Sequence, residues 1–201
     1  MKEKYVLPIV LMIAFALTRI PGMMPQNFSA AYAIAFCAGV YFSGMMKWWV
    51  PLGSLLLTDV LLNVYYYKNE AVSSFMIVNY IGYVLIIILG KQFDRNSGIF
   101  RLFCGGILGS IIFYLLTNTT AWVQNSEYTK DLTGWIQALT VGTPGWPQTW
   151  KFFRNTIMSG GLFTLLFVSS MRITTSEEST EEKKEPKKSD EPKESHEEAK
   201  V

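Results

Sequence analysis

A few polar side chains interrupt long apolar runs, and they carry the chemistry that this sequence offers. Asp59 and Asn63 are four residues apart, so they share one face of a helix. Amide side chains stand in or beside other apolar runs at Asn79, Asn118 and Asn155. Amides and one carboxylate supply hydrogen bonds for binding, but they do not form the paired carboxylates of acid–base catalysis. An enzyme would have to rely on Asp59 alone as its buried acid or base.

Other classes of site are excluded by composition. The one histidine, His196, lies in the charged C-terminal stretch, so the rest of the chain has no histidine base, catalytic triad or histidine-ligated metal. The sequence contains neither a P-loop nor a G-x-G-x-x-G motif, and no basic cluster indicates a nucleic-acid surface. We therefore expect no enzyme activity, no catalytic residue, no metal, no cofactor and no nucleic-acid partner.

Charge divides the chain into two parts. Of the 201 residues, 18 are Lys or Arg and 16 are Asp or Glu, yet half of these charges lie within residues 172–201. The first 171 residues are about one-tenth charged, against roughly one-quarter in soluble domains. We predict a transmembrane domain over residues 1–172. We predict a disordered, charged cytoplasmic tail over residues 173–201, because this stretch has too few apolar residues to offset its ordering entropy.

Six apolar runs predict six transmembrane helices. A hydrocarbon core of about 30 Å needs roughly 20 residues per helix, with a range of about 17–25. The runs cover residues 5–20, 28–46, 48–67, 71–90, 99–117 and 155–171. The predicted fold class is an all-α membrane protein. The first run also resembles a cleaved signal peptide, because Lys2 and Lys4 precede it and Ala14-Phe15-Ala16 resembles a cleavage site.

Between the fifth and sixth runs, residues 131–140 have the pattern of a short amphipathic helix. Asp131 can cap its start, and apolar residues follow with helical spacing at Leu132, Trp135, Ile136 and Leu139. Tryptophan in this region favours the membrane–water interface. We expect the segment to lie across the mouth of the bundle and not to span the membrane.

The polar residues gather at one depth in this topology. With six spans both termini share a side, and seven basic flanking residues against five place that side in the cytoplasm of a bacterial inner membrane. All candidate binding residues then fall in the outer half of the bundle, and reversing the topology would move them together. The set is Arg19, Asn27, Asp59, Asn63, Asn79, Asn118, Trp122, Arg154 and Asn155. Each also has a structural interpretation, as a snorkelling side chain, a helix cap or an interhelical hydrogen bond.

Several short motifs resemble an uncharacterised bacterial membrane family, which itself is similar to the substrate-binding S components of energy-coupling-factor (ECF) vitamin transporters. The resemblance covers roughly residues 15–170. Its motifs are Arg19-Ile20-Pro21, Pro25-Gln26-Asn27-Phe28-Ser29, Thr58-Asp59, Thr117-Asn118 and Phe153-Arg154-Asn155-Thr156.

The resemblance implies a six-helix S-component-like bundle that binds a vitamin or metal ion near the outer face. It also implies a separate transmembrane coupling subunit and two ATPases as partners. The leading hypothesis is a multi-pass membrane subunit that binds a small vitamin-like micronutrient for uptake. The alternative is a structural or assembly protein of the membrane that binds no ligand.

Overall fold

The computed structural model describes residues 6–68 and 74–184, and this part of the chain is helical. Lys2, Lys4 and the tail residues 185–201 lie outside the described residues. In chain order the helices are α1 (Val6–Leu17), α2 (Ala31–Tyr41), α3 (Met46–Leu61), a π-helical segment (Leu62–Tyr66), α4 (Ser74–Gly90), α5 (Ile99–Gln124), α6 (Leu132–Thr140) and α7 (Thr149–Lys184).

The short helix α2 forms the centre of the bundle. Every residue from Ala31 to Gly39 is buried, and α3, α4, α5 and α7 all pack against it. Small residues permit this, most clearly at the crossing with α4. A Cβ at Gly39 would overlap the Ile87 carbonyl oxygen, and a Cβ at Gly90 would overlap that of Phe36. The two backbones therefore touch where α2 crosses α4.

Helices α5 and α7 share the most extensive interface of the bundle, and it also depends on small residues. Gly106 packs directly on Thr164, and Gly160 packs on Ser110, with no room for a Cβ at either glycine. These hydroxyl-bearing side chains are fully buried. The two helices are antiparallel, so the second half of α5 and the start of α7 lie at the same end of the bundle.

Three helical stretches of the described residues are long and apolar enough to cross a membrane. They are Met46–Tyr66, Ile99–Gln124 and Thr149–Thr174. Two further apolar helices, Ala31–Tyr41 and Phe75–Gly90, are shorter. An all-helical protein with several membrane-crossing helices is thus supported, whereas six spans stay a prediction. Helix α2 differs most from expectation, since its 11 residues reach about 16 Å and not the whole of the predicted run 28–46.

Helices α5 and α7 extend beyond the predicted runs. Thr117, Thr120 and Asn118 do not end α5, because their side chains hydrogen-bond to carbonyls in the preceding turn of the same helix. Helix α7 begins at Thr149 instead of Asn155. At its other end α7 runs to Lys184, so its backbone is helical over part of the stretch for which we predicted disorder.

The short amphipathic helix is present as α6. The carboxylate of Asp131 accepts a hydrogen bond of 2.8 Å from the backbone N–H of Gly134, as an N-cap does. This hydrogen bond and, to a smaller extent, the one from the Thr129 hydroxyl hold the pKa of Asp131 below its usual value. Leu132 and Ile136 on α6 are exposed.

Candidate functional site

A cavity of about 820 Å³ lies at the end of the bundle where α2 begins. Its wall combines the connection between α1 and α2, the end of the π-helical segment, the first half of α4, the second half of α5 and the start of α7. Helices α4 and α5 are antiparallel neighbours, so the first half of one faces the second half of the other. The volume falls within the range of roughly 300–1,000 Å³ that is typical of small-molecule sites.

Among the described residues, Arg19 is the charged side chain that lines this cavity, and Asp59 of α3 neutralises it from behind. The guanidinium also donates to the Thr58 hydroxyl at 3.1 Å and to the Leu55 carbonyl at 3.3 Å. The second oxygen of Asp59 accepts a hydrogen bond of 3.0 Å from the Tyr80 hydroxyl on α4. The ion pair is largely shielded, with exposed fractions of 14% for Arg19 and 12% for Asp59. The network therefore joins three elements and holds a cation at the cavity wall.

The connection between α1 and α2 is held in place at two further points. The Asn155 amide on α7 donates a hydrogen bond of 2.9 Å to the Gln26 carbonyl. Asn27 has a left-handed backbone, with φ of 60°, which asparagine tolerates better than most residues. The Ser29 hydroxyl accepts a hydrogen bond from the first backbone N–H of α2. Residues 18–30 thus form a tethered wall of the cavity.

The nine residues proposed from sequence have three different environments. Arg19, Asn27, Asn79 and Asn118 line the cavity. Asp59 and Asn155 hold wall residues from behind, as described above. Asn63 contacts the Met76 sulfur, Trp122 donates to the Thr129 carbonyl, and Arg154 lies against the Trp150 ring. The cavity therefore gathers four of the nine residues, and two more support its wall.

Sequence reasoning missed most of the aromatic wall. The aromatic residues of the wall are Phe28, Tyr32, Tyr66, Tyr67, Phe75, Tyr83, Phe113, Trp146 and Phe152. A signal was present on α4, since Phe75 and Tyr83 lie four residues to either side of Asn79 and must share its face. In apolar runs, aromatic residues look like ordinary core, so only the neighbouring asparagine distinguishes them.

The donor set of this site does not suit a metal ion. In the described part of the chain no three His, Cys, Asp or Glu side chains come together. Within the described residues, the carboxylate next to the wall is that of Asp59, and Arg19 and Tyr80 already occupy it. The wall can instead offer hydrogen bonds and aromatic surfaces to an organic molecule.

Comparison with known proteins gives a family but no activity. No curated protein and no solved structure matches the chain. Residues 1–183, which include every helix carrying the cavity, match the profile of one family. The chain therefore belongs to DUF6580, a family of unknown function.

Proposed function

We propose that this protein is an integral membrane subunit that binds a small organic micronutrient for uptake. The observation that carries the proposal is the cavity at the start of α2, whose wall combines amide groups with aromatic side chains and one neutralised cation. Such a wall suits a small organic molecule with few net charges. In the proposed arrangement six helices cross a bacterial inner membrane, both termini are cytoplasmic and the cavity opens to the outside.

Transport in this proposal depends on partners. The chain contains no P-loop, and the proposal assigns ATP hydrolysis to other subunits. A transmembrane coupling subunit with ATPases, as in ECF systems, would supply the energy, and the present chain would act as an S-component-like binding subunit. The proposal assigns the chain no catalysis.

Mass spectrometry of small molecules that co-purify with the protein tests this function. The matched variants are Ala121→Trp, which places an indole in the cavity wall, and Val123→Trp, which places one on the exposed side of the same helix. We expect a metabolite that wild type and Val123→Trp retain and that Ala121→Trp loses. If wild type retains none, or if all three retain it equally, the pocket hypothesis fails and a structural or assembly role is favoured.

A further inference from the structure

The cavity wall is layered along the bundle axis. Three wall residues on each of α4 and α5 follow one another at intervals of four, so each helix presents them on one face. They are Phe75, Asn79 and Tyr83 on α4, and Phe113, Thr117 and Ala121 on α5. Four residues advance a helix by about 6 Å, so the three layers extend over about 12 Å.

The deepest layer is an aromatic floor. The rings of Tyr83 and Phe113 are stacked, with 5.1 Å between centroids and 15° between planes. Tyr32 of α2 packs against Phe113 at 4.9 Å. All three side chains are buried apart from the surface that they present to the cavity. Their mutual packing fixes the floor, and because each side chain leaves less than one-tenth of its surface exposed, the floor offers a small, rigid apolar contact.

The middle layer is a polar belt with hydrogen-bond donors on one side and acceptors on the other. On the α5 side, Thr117 and Asn118 donate to carbonyls of their own helix at 3.0 and 2.9 Å, which leaves a hydroxyl and an amide oxygen as acceptors. On the opposite side, Arg19 retains the Nε–H and one Nη2–H without a partner among the described residues. The Asn79 amide makes no side-chain hydrogen bond to any described residue. The belt therefore offers donors at Arg19, acceptors at α5, and both at Asn79.

The outer layer is an aromatic rim with exposed faces. Tyr66, Tyr67, Phe75 and Trp146 stand at the mouth, and more than two-fifths of each side chain is exposed. Stacking on such faces favours flat rings. Floor and rim are thus aromatic, and hydrogen-bonding groups lie between them.

We infer that the cavity binds an uncharged planar ring of the cyclic amide type, with its carbonyl edge toward Arg19 and its N–H edge toward Thr117 and Asn118. This inference rests on the proposed function and names its ligand class. A flat ring can contact the floor while its polar edges meet the belt. An anionic ligand is disfavoured because Asp59 already neutralises Arg19, so the described part of the wall has no net positive charge to offset the burial of a second negative charge. The side-chain amide of Asn79 has no hydrogen-bond partner among the described residues. We therefore assign it the hydrogen bonds to the ring that determine specificity.

The test measures binding of four probes to the full chain in detergent by equilibrium dialysis. Uracil has carbonyl and N–H edges, 1,3-dimethyluracil lacks the N–H donors, orotate adds a carboxylate, and myo-inositol is an uncharged polyol that is not planar. We expect uracil to bind at least tenfold more tightly than the other three. Asn79→Leu should weaken uracil binding tenfold or more, whereas Asn63→Leu, which removes an amide outside the cavity wall, should leave it unchanged. Asn79→Ala serves as a second variant if the leucine variant does not fold.

The outcomes separate this inference from the proposed function. With binding that Ala121→Trp abolishes, a preference for orotate would overturn the uncharged ligand and a preference for myo-inositol would overturn the planar cyclic amide. Either result would leave the binding function intact. An unchanged affinity for uracil in both Asn79 variants would also overturn the inference. If no probe binds and wild type retains no metabolite, both proposals fail.

Discussion

The backbone contact between α2 and α4 predicts opposite effects for two glycine substitutions. A Cβ at Gly39 would overlap the Ile87 carbonyl and lie 2.9 Å from the Cα of Gly90, and both obstacles belong to the backbone of α4. Gly53 lies away from both ends of α3 and is exposed, and a Cβ at this position would have nothing within 4 Å. Both positions are helical, so propensity alone favours alanine over glycine by roughly 0.5–1 kcal/mol at each.

We expect Gly39→Ala to destabilise the protein and Gly53→Ala to stabilise it. Overpacking typically costs about 1–3 kcal/mol. The obstacles at Gly39 are backbone atoms, so the upper part of this range applies, and the gain in helix propensity leaves a net loss of about 1–2.5 kcal/mol. Gly53→Ala has no steric term and should gain up to about 1 kcal/mol. In a chain of this size, 1 kcal/mol shifts Tm by roughly 2–4 °C.

Thermal unfolding of the detergent-purified variants, followed by intrinsic tryptophan fluorescence, measures this difference. Gly90→Ala provides a reciprocal control, because its Cβ would overlap the Phe36 carbonyl from the other side of the contact. A rise in Tm for Gly39→Ala, or equal shifts for the α2 and α3 variants, would refute the close approach of the two backbones.

Three other perturbations test the network, the tether and the cap. Tyr80→Phe removes a hydrogen bond to the Asp59 carboxylate and should lower the free energy of unfolding by about 1.5 kcal/mol; a double-mutant cycle with Asp59→Leu would contradict the contact if the two effects were additive. Asn155→Leu frees a carbonyl in the loop of residues 18–30, so limited proteolysis there should be faster than in wild type, and an unchanged rate would argue against the tether. Because the folded pKa of Asp131 is lowered, its stabilisation of α6 is present above the unfolded value of 3.8 and is lost as the pH falls through the folded pKa. The acid transition of tryptophan fluorescence should therefore weaken in Asp131→Asn, and an identical transition would disprove the role of the cap.

The sequence predicted those parts of the fold that depend on local pattern. The amphipathic spacing after Asp131 identified α6 and its cap, and the apolar runs identified the positions of the longer helices. The length of α2 could not be predicted, because residues 28–46 are apolar throughout and nothing local shows that the chain leaves the helix after Tyr41. Helix α5 was predicted too short, since side chains that usually end helices instead bond to the preceding turn.

The cavity could be predicted only through its polar members. Asn79 and Asn118 stand out because an amide in an apolar run needs a reason to be there, and both line the wall. Trp122 and Arg154 are also polar-capable side chains at a similar predicted depth, but they contact other partners. Depth along a helix follows from residue number, whereas the direction of a side chain depends on how the helix is rotated in the bundle. That rotation is set by contacts such as Gly106 with Thr164, between residues far apart in sequence.

The shortness of α2 has an electrical consequence in the proposed arrangement. A hydrocarbon core is about 30 Å thick, whereas α2 covers about 16 Å of it. Where water fills the cavity above Tyr32, the low-dielectric layer at the bundle axis is reduced to little more than the length of α2. The membrane potential then falls across about half the usual distance, so the electric field along α2 is nearly doubled. A charged solute would feel this focused field as it left the cavity, whereas an uncharged ring would cross without electrical work.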